Sequence, residues 1–417
     1  LSDRKAWLLE TLHILNGTDT MDASDGFTRL SFTEAEKAVH RQFAVTAEEL
    51  GLSVRSDEAG NQWALWEADA SAPMITLGSH LDTVDNGGGY DGVAGVLTAL
   101  AAVKQLKDSG YQPKKTIAVI CFVFEESARF GVSTIGSKAI TGKLDKQAIA
   151  DVEDRDGVTI REAAKGFGLD WGAIDEAAVP SNRIESFLEL HIEQGTVLPD
   201  SGCEIGIVHG IACPVRLKVT ASGMANHTGT TPMDKRQDAF AAVAPLVQAV
   251  QQEAFKRNQE ADQQLVATVS TVNLKPNAMN VIPGEVELGI DIRSVDDAAK
   301  RNFAAWVKEH CAELESETGV NIDVSTLVNN DSVMLDDPIR EKLLNVSRDL
   351  GYRTLEMNSG AGHDVMNMQA KWPSGLVFIP CKDGISHHPA EFASMEDIDR
   401  GVQVLAAFLK SEAGGEN

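Results

Sequence analysis

Two uninterrupted apolar runs constrain this chain more than any other feature: "PMITLGSH", ending at His80, and "KKTIAVICFVFEE", ending at Glu126. Apolar character without alternation suits strands buried on both faces. Between them "GVLTALAAVKQLKDSG" has helical character, so the order is strand, helix, strand. A right-handed crossover makes the two strands parallel, and ligands in such sheets bind beyond the carboxyl ends of the strands. His80 and the pair Glu125 and Glu126 stand at those ends.

The connection between the first strand and the helix reads "GSHLDTVDNGGGYDGVAGV". It sets His80, Asp82, Asp85 and Asp91 among glycines that let the backbone turn tightly and pass close to another object. A bound metal is the expected object, with Asp85 read as an ordinary loop residue. "IESFLELHIEQG" repeats the pattern, an apolar strand whose end carries His191 and Glu193.

At 417 residues the chain exceeds the size at which one core keeps growing, so two domains are expected. From about Pro214 to Asn329 the pattern changes to βαββαβ, the ferredoxin-like order, with helices near Arg236–Arg257 and Asp296–Glu317. The expected class is therefore α/β: a mostly parallel-sheet domain formed by residues 1–213 and 330–417, interrupted by a ferredoxin-like α+β insertion at 214–329. Helices are also expected from about Thr33 to Leu50, capped by Ser31 or Thr33, and from about Met395 to the end.

The 62 acidic residues outnumber the 37 basic ones, giving a formal charge of -25 that repels nucleic acid and anionic membranes. No apolar run is long enough for a membrane-crossing helix, and the opening "LSDRKAWLLETLHIL" lacks a signal peptide's apolar core. The five cysteines form no CxxC pair, which argues against a thiolate zinc site and a disulfide framework and fits a cytoplasmic setting.

Separated strand ends thus contribute His80 with Asp91, Glu126, His191, and His387 of "GISHHPAE". Mixed imidazole and carboxylate donors suit zinc, manganese, cobalt or nickel, and a carboxylate such as Asp91 can bridge two ions. Asp82 is placed to accept the second ring N–H of His80 and fix its tautomer. Adjacent buried carboxylates are costly without cations, which strengthens the metal reading of "FEES". His13, His40, His209 and His310 read as core or surface residues, and His388 as a neighbour of His387.

"GSHLDTVDNGGGYDGVAGV", "FEESARFGVSTIGSKAITG", "LELHIEQG", "HTGTTPMDKRQDA", "NVIPGEVELGIDIRS" and "SGAGHD" followed by "GISHHPAE" together resemble the hydantoinase/carbamoylase amidase branch of the M20 metallopeptidase family. The resemblance implies that His80, Asp91 and His191 hold one divalent ion and that Asp91, Glu126 and His387 hold a second. It makes Glu125 the general base toward an activated water, with Asp82 counted among the catalytic residues. It assigns Arg293 to a substrate carboxylate, with Gln194, Asn280, Gly360 and Ala361 as further binding residues. Two divalent cations against three carboxylates leave about one positive charge, which favours an anionic substrate.

The resemblance also makes the insertion a lid and dimerisation domain, with His227 reaching the active site of a partner subunit to stabilise the oxyanion. Without it, "NHTGT" would read as a polar turn and Arg293 as a surface ion pair. Asn226 stands where relatives commonly have Asp, and Cys213 with Pro214 where they have Gly-Gln. The expected activity is hydrolysis of an N-carbamoyl-L-amino acid or related ureido acid. Allantoate amidohydrolase and β-ureidopropionase activities are close alternatives, aminoacylase or dipeptidase activity a further one, and a catalytically inactive metal-binding module one from another class.

Overall fold

The computed structural model describes residues 3–415, which fall into two compact units. The first comprises the chain up to His209, Leu335–Met357 and the segment from His363 on; the second comprises Gly210–Met334 and Asn358–Gly362.

In the first unit a sheet runs in the order β1 (Ser53–Ser56), β2 (Gln62–Trp66), β4 (Ile117–Phe122), β3 (Met74–His80), β5 (Ile184–Ile192), β13 (Ser374–Ile379) and β6 (Ile205–Ile211), with β12 (Thr354–Ser359) also pairing with β6. Its centre is parallel: β3 pairs in parallel with β4 and β5, and β5 with β13. The flanks are antiparallel, β1 with β2, β2 with β4, and β13 with β6. The sheet is thus mixed, and the parallel arrangement expected from sequence describes its middle strands. β3 and β4 are buried along their whole length, which is why their sequences carry no polar alternation.

Helix Val93–Asp108 crosses from β3 to β4 and packs most extensively on the terminal helix Met395–Glu412. Leu97, Leu100, Val402 and Leu405 are essentially inaccessible, and each such side chain contributes about 1.5–3 kcal/mol relative to exposure. Helix Glu34–Glu49 starts where its cap predicts: the Thr33 hydroxyl accepts the Glu36 amide.

The second unit is a four-stranded antiparallel sheet in the order β10 (Asn321–Asn329), β7 (Val215–Ser222), β9 (Glu285–Arg293) and β8 (Val266–Lys275). With helices Ala239–Asn258 and Asp297–Thr318 this gives the βαββαβ order, and β9 alternates buried and half-buried residues as a one-sided sheet requires. Its borders lie outside 214–329 for a physical reason. The short β11 (Val333–Met334) pairs with Ile211 and Gly210, and the Ala212 amide donates to the Ser359 carbonyl. Lys300, fully buried here, donates to the carbonyls of Cys213 and Asn330 and to the Ser332 hydroxyl, and pairs with Asp297.

Candidate metal centre

The parallel strands β3, β4, β5 and β13 end at the same edge of the first unit's sheet, and the chemistry collects there. His80 closes β3, and His191 sits one residue before the end of β5. Glu125 and Glu126 follow β4, and His387 follows β13.

Four of these side chains, His80, His191, Glu126 and His387, form two triads with Asp91 whose donor atoms lie within 4.8 Å of one another: His80, Asp91 and His191, and Asp91, Glu126 and His387. The Asp91 carboxylate divides between them. Its Oδ1 lies 3.4 Å from His80 Nε2 and 3.0 Å from His191 Nε2, while its Oδ2 lies 3.2 Å from His387 Nε2. His387 Nε2 is also 3.4 Å from Glu126 Oε1. Nδ1 of His80 is 3.0 Å from the Asp82 carbonyl and Nδ1 of His191 is 2.9 Å from the Ile192 carbonyl. Each Nδ1 is therefore held as a donor to a backbone carbonyl, which leaves Nε2 as the nitrogen turned toward Asp91, the orientation a metal ligand needs.

Electrostatics agree with the donor set. Burial disfavours charge on His80, but hydrogen bonds to Asp82 and Asp91 outweigh it and hold the ring well above its ordinary pKa. His387, half-exposed, is pushed up to about 11 by its bonds to Asp91 and Glu126. Burial opposes ionisation of Asp91, yet the surrounding histidines hold it well below the usual carboxylate range. So much negative charge at a buried strand edge calls for a cation, and the residues fit one.

Glu125 stands apart from the triads. Burial, reinforced by Glu126 and Asp364 against the pull of His80, raises its carboxyl well above the usual range. Among the described residues its one ionic neighbour within 4 Å is His80 Nε2, at 3.9 Å. The turn that presents it is fixed from both sides. Phe124 has φ 54°, and Asp82 accepts the Glu125 and Glu126 amides at 3.1 and 2.9 Å and the Ser31 hydroxyl at 2.8 Å. Asp82 thus does more than orient His80: its carboxylate lies 3.3 Å from Nδ1, farther than its own carbonyl, and mainly ties the β4 turn to the β3 end.

The glycine loop turns out to press against side chains of the protein. A Cβ on Gly88 would fall 2.3 Å from Glu391 Cβ, and one on Gly92, which has φ 66°, would fall 2.5 Å from the His80 ring. Glu391 was not apparent as a site residue from sequence, although it closes the motif "GISHHPAE". Its Oε1 accepts the Tyr90 and Asp91 amides, each at 2.9 Å, and its Oε2 accepts the Ser386 hydroxyl at 2.8 Å.

Gln194, expected to bind substrate, donates to Asp91 Oδ2 at 2.7 Å and to Ser386 Oγ at 3.0 Å, while its buried Oε1 has no partner. Glu193 accepts the amides of Val197 and Leu198 and stays outside the triads. Asp85 lies 3.6 Å from Arg155, as a loop residue would.

The remaining sequence candidates belong to the second unit. Arg293 directs Nε and Nη2 to Asp291, at 2.7 and 3.3 Å, and Nη1 to the Gly360 carbonyl at 2.7 Å. One edge of its fork is therefore engaged in an ion pair. Ala361 is held by a bond from its amide to Ser359 Oγ at 3.1 Å, and Asn280 is exposed. His227 is exposed too; its Nδ1 accepts the Gly229 amide at 3.0 Å, and its own amide donates to Asn226 Oδ1 at 2.8 Å. An asparagine oxygen makes that last bond as well as an aspartate would.

Residues 76–411 match the model of peptidase family M20/M25/M40. The chain is 35% identical over 387 residues to an N-carbamoyl-L-amino-acid amidohydrolase of Paenarthrobacter aurescens, covering 93% of each chain. It is also 35% identical to a ureidoglycolate hydrolase of Arabidopsis thaliana, over 93% of this chain and 82% of that one. The crystal structure of a hydantoinase/carbamoylase family amidase from Burkholderia multivorans superposes with a TM-score of 0.87 at 29% identity, covering 98% of each chain. With an M20 family match spanning both triads and relatives of this similarity along nearly its whole length, the chain belongs to peptidase family M20/M25/M40.

Proposed function

We propose that this chain is a metal-dependent amidohydrolase that cleaves a non-peptide C–N bond in a small carboxylate-bearing ureido acid, first among them an N-carbamoyl-L-amino acid. The observation that carries the reading is the pair of triads sharing Asp91, with Glu125 left uncommitted beside them. The two similar enzymes act, by their names, on N-carbamoyl-L-amino acids and on ureidoglycolate, molecules that pair a ureido group with a carboxylate.

In this proposal His80, Asp91 and His191 hold one divalent ion, and Asp91, Glu126 and His387 hold another, zinc or manganese before cobalt or nickel. Such ions polarise a carbonyl and bring the pKa of water toward neutrality. Glu125, which stands beside His80 outside both triads, takes the proton of the attacking water and delivers it to the departing nitrogen. Arg293 receives the substrate carboxylate with Asn280, Gly360 and Ala361, and Gln194 offers its unpartnered oxygen to the ureido N–H. The chain acts as a homodimer in the cytoplasm, and His227 from a second copy donates to the oxyanion through Nε2. No helix among the described residues is long and apolar enough to cross a membrane.

The test is hydrolysis after chelation and reloading with single metals, read as ammonia release from N-carbamoyl-L-amino acids, ureidoglycolate, allantoate and β-ureidopropionate, and as free amino acid from N-acyl amino acids and dipeptides. Glu125→Gln should lower kcat by about 100-fold or more at unchanged metal content. Unchanged turnover in that variant removes Glu125 from the mechanism, and preference for dipeptides removes the ureido substrate.

A further inference from the structure

The second triad draws on three chain segments, the loop bearing Asp91, the turn bearing Glu126 and the loop bearing His387. One buried side chain ties the backbone of the Asp91 loop to the His387 loop. Glu391 is 4% exposed, its Oε1 receives the amides of Tyr90 and Asp91, and its Oε2 receives the hydroxyl of Ser386, the residue before His387. The Ser386 hydroxyl also lies 3.1 Å from Asp91 Oδ2, the oxygen facing His387, and Gln194 Nε2 reaches both groups. Gly88 completes the joint, since its missing Cβ is what lets the Asp91 loop lie against the Glu391 side chain.

We infer that Glu391 is a positioning residue for the bridging carboxylate: it locks the Asp91 loop to the His387 loop and so sets the affinity of the second-ion site formed by Asp91, Glu126 and His387. This rests on the two-ion reading above. The first triad shares Asp91 but depends less on the lock, because its other two members, His80 and His191, lie on β3 and β5 and are oriented by the Asp82 and Ile192 carbonyls. Groups that orient metal ligands commonly govern about 10–100-fold in affinity.

The chelated full-length protein is titrated with Mn²⁺, following each binding step by calorimetry and the spin coupling of a manganese pair by electron paramagnetic resonance. Glu391→Ala should weaken the second step by about 10–100-fold, leave the first within about threefold, and abolish the coupled signal. Glu391→Gln keeps an oxygen for the two amides and should restore most of the affinity. Ser386→Ala, which removes only the hydroxyl link and is conservative enough to fold if Glu391→Ala does not, should weaken the second step by about tenfold.

Unchanged second-step affinity in Glu391→Ala or Ser386→Ala overturns the inference. So does a Glu391→Gln variant as weak as Glu391→Ala, because charge and not positioning would then be at work. Fewer than two Mn²⁺ bound by the unaltered protein overturns the two-ion reading itself; two ions bound there with unaffected variants overturns only the role of Glu391.

Discussion

Glu36 accepts the amide of Phe124, 88 residues away, through an oxygen 3.0 Å distant, and so fixes the Val123–Phe124 peptide at the start of the turn that presents Glu125. Its other oxygen accepts the Phe32 amide, and the side chain is fully buried. Glu36→Ala strands two buried amides and should cost about 2–5 kcal/mol in urea denaturation. It should also lower kcat by relaxing the left-handed turn at Phe124. A loss under about 0.5 kcal/mol would mean that water or a shifted backbone replaces the carboxylate with ease.

Gly92→Ala tests the packing of the first triad. The new Cβ meets the His80 ring at 2.5 Å on a backbone with φ 66°. With ψ -47° the backbone lies outside even the left-handed helical region, and strain of about 1–3 kcal/mol adds to the displacement of the ring. The variant should show both a lower melting temperature and a loss of bound metal; full metal content would show that the ring can retreat without leaving its ligand position.

Metal removal should be visible in stability before it is visible in structure. Ions that bind the folded chain alone stabilise it by about 4 kcal/mol at a concentration 1,000 times the Kd. Chelation should therefore lower the melting temperature, and Mn²⁺ or Zn²⁺ should restore it in a concentration-dependent way. Asp91→Asn, which weakens both triads at once, should flatten that dependence. Equal responses in the unaltered and Asn-bearing proteins would place the stabilising ion elsewhere.

His40 gives a pH prediction away from the triads. Burial, opposed weakly by Asp82, lowers its pKa to about 4. Unfolded histidine titrates near ~6.5, so between those values the unfolded chain binds the extra proton and folding stability falls as pH falls. The contribution is fully present above about pH 6.5 and amounts to about 3 kcal/mol lost by pH 4. His40→Gln should remove that part of the acid limb in denaturation series taken from pH 7 to 4. Parallel limbs for the two proteins would assign the acid sensitivity to other groups.

Arg293→Lys separates substrate binding from ion pairing. Lysine cannot serve both Asp291 and a substrate carboxylate with one planar fork. KM should rise by about tenfold or more while kcat changes less than about threefold. An unchanged KM would reduce Arg293 to its pairing with Asp291.

The cluster around Asp91 was legible because His80, Glu126 and His191 close apolar runs and Asp91 sits in a glycine-rich connection, and parallel strands bring such ends to one edge; His387 rested on the resemblance of its motif. His80, Asp91, Glu126, His191 and His387 meet as the motifs implied. The helix at Glu34–Glu49 was legible from its cap, but Glu36 within it read as an ordinary first-turn acid. Its partner Phe124 lies on another element, and no local pattern announces such a bond. Glu391, 300 residues from Asp91, was hidden for the same reason. The antiparallel flanks escaped because periodicity reports burial and not strand direction, and the borders of the second unit moved because the two-residue strand Val333–Met334 is too short to leave a pattern.

The tight fit at Gly88 and Gly92 bears on how this enzyme can be reshaped. Neither position is spare room awaiting a larger side chain; each is already filled by Glu391 or the imidazole of His80. Mutational libraries aimed at new substrates would lose most of their members at those two codons, and diversity is better spent where no ligand-bearing side chain leans on the backbone.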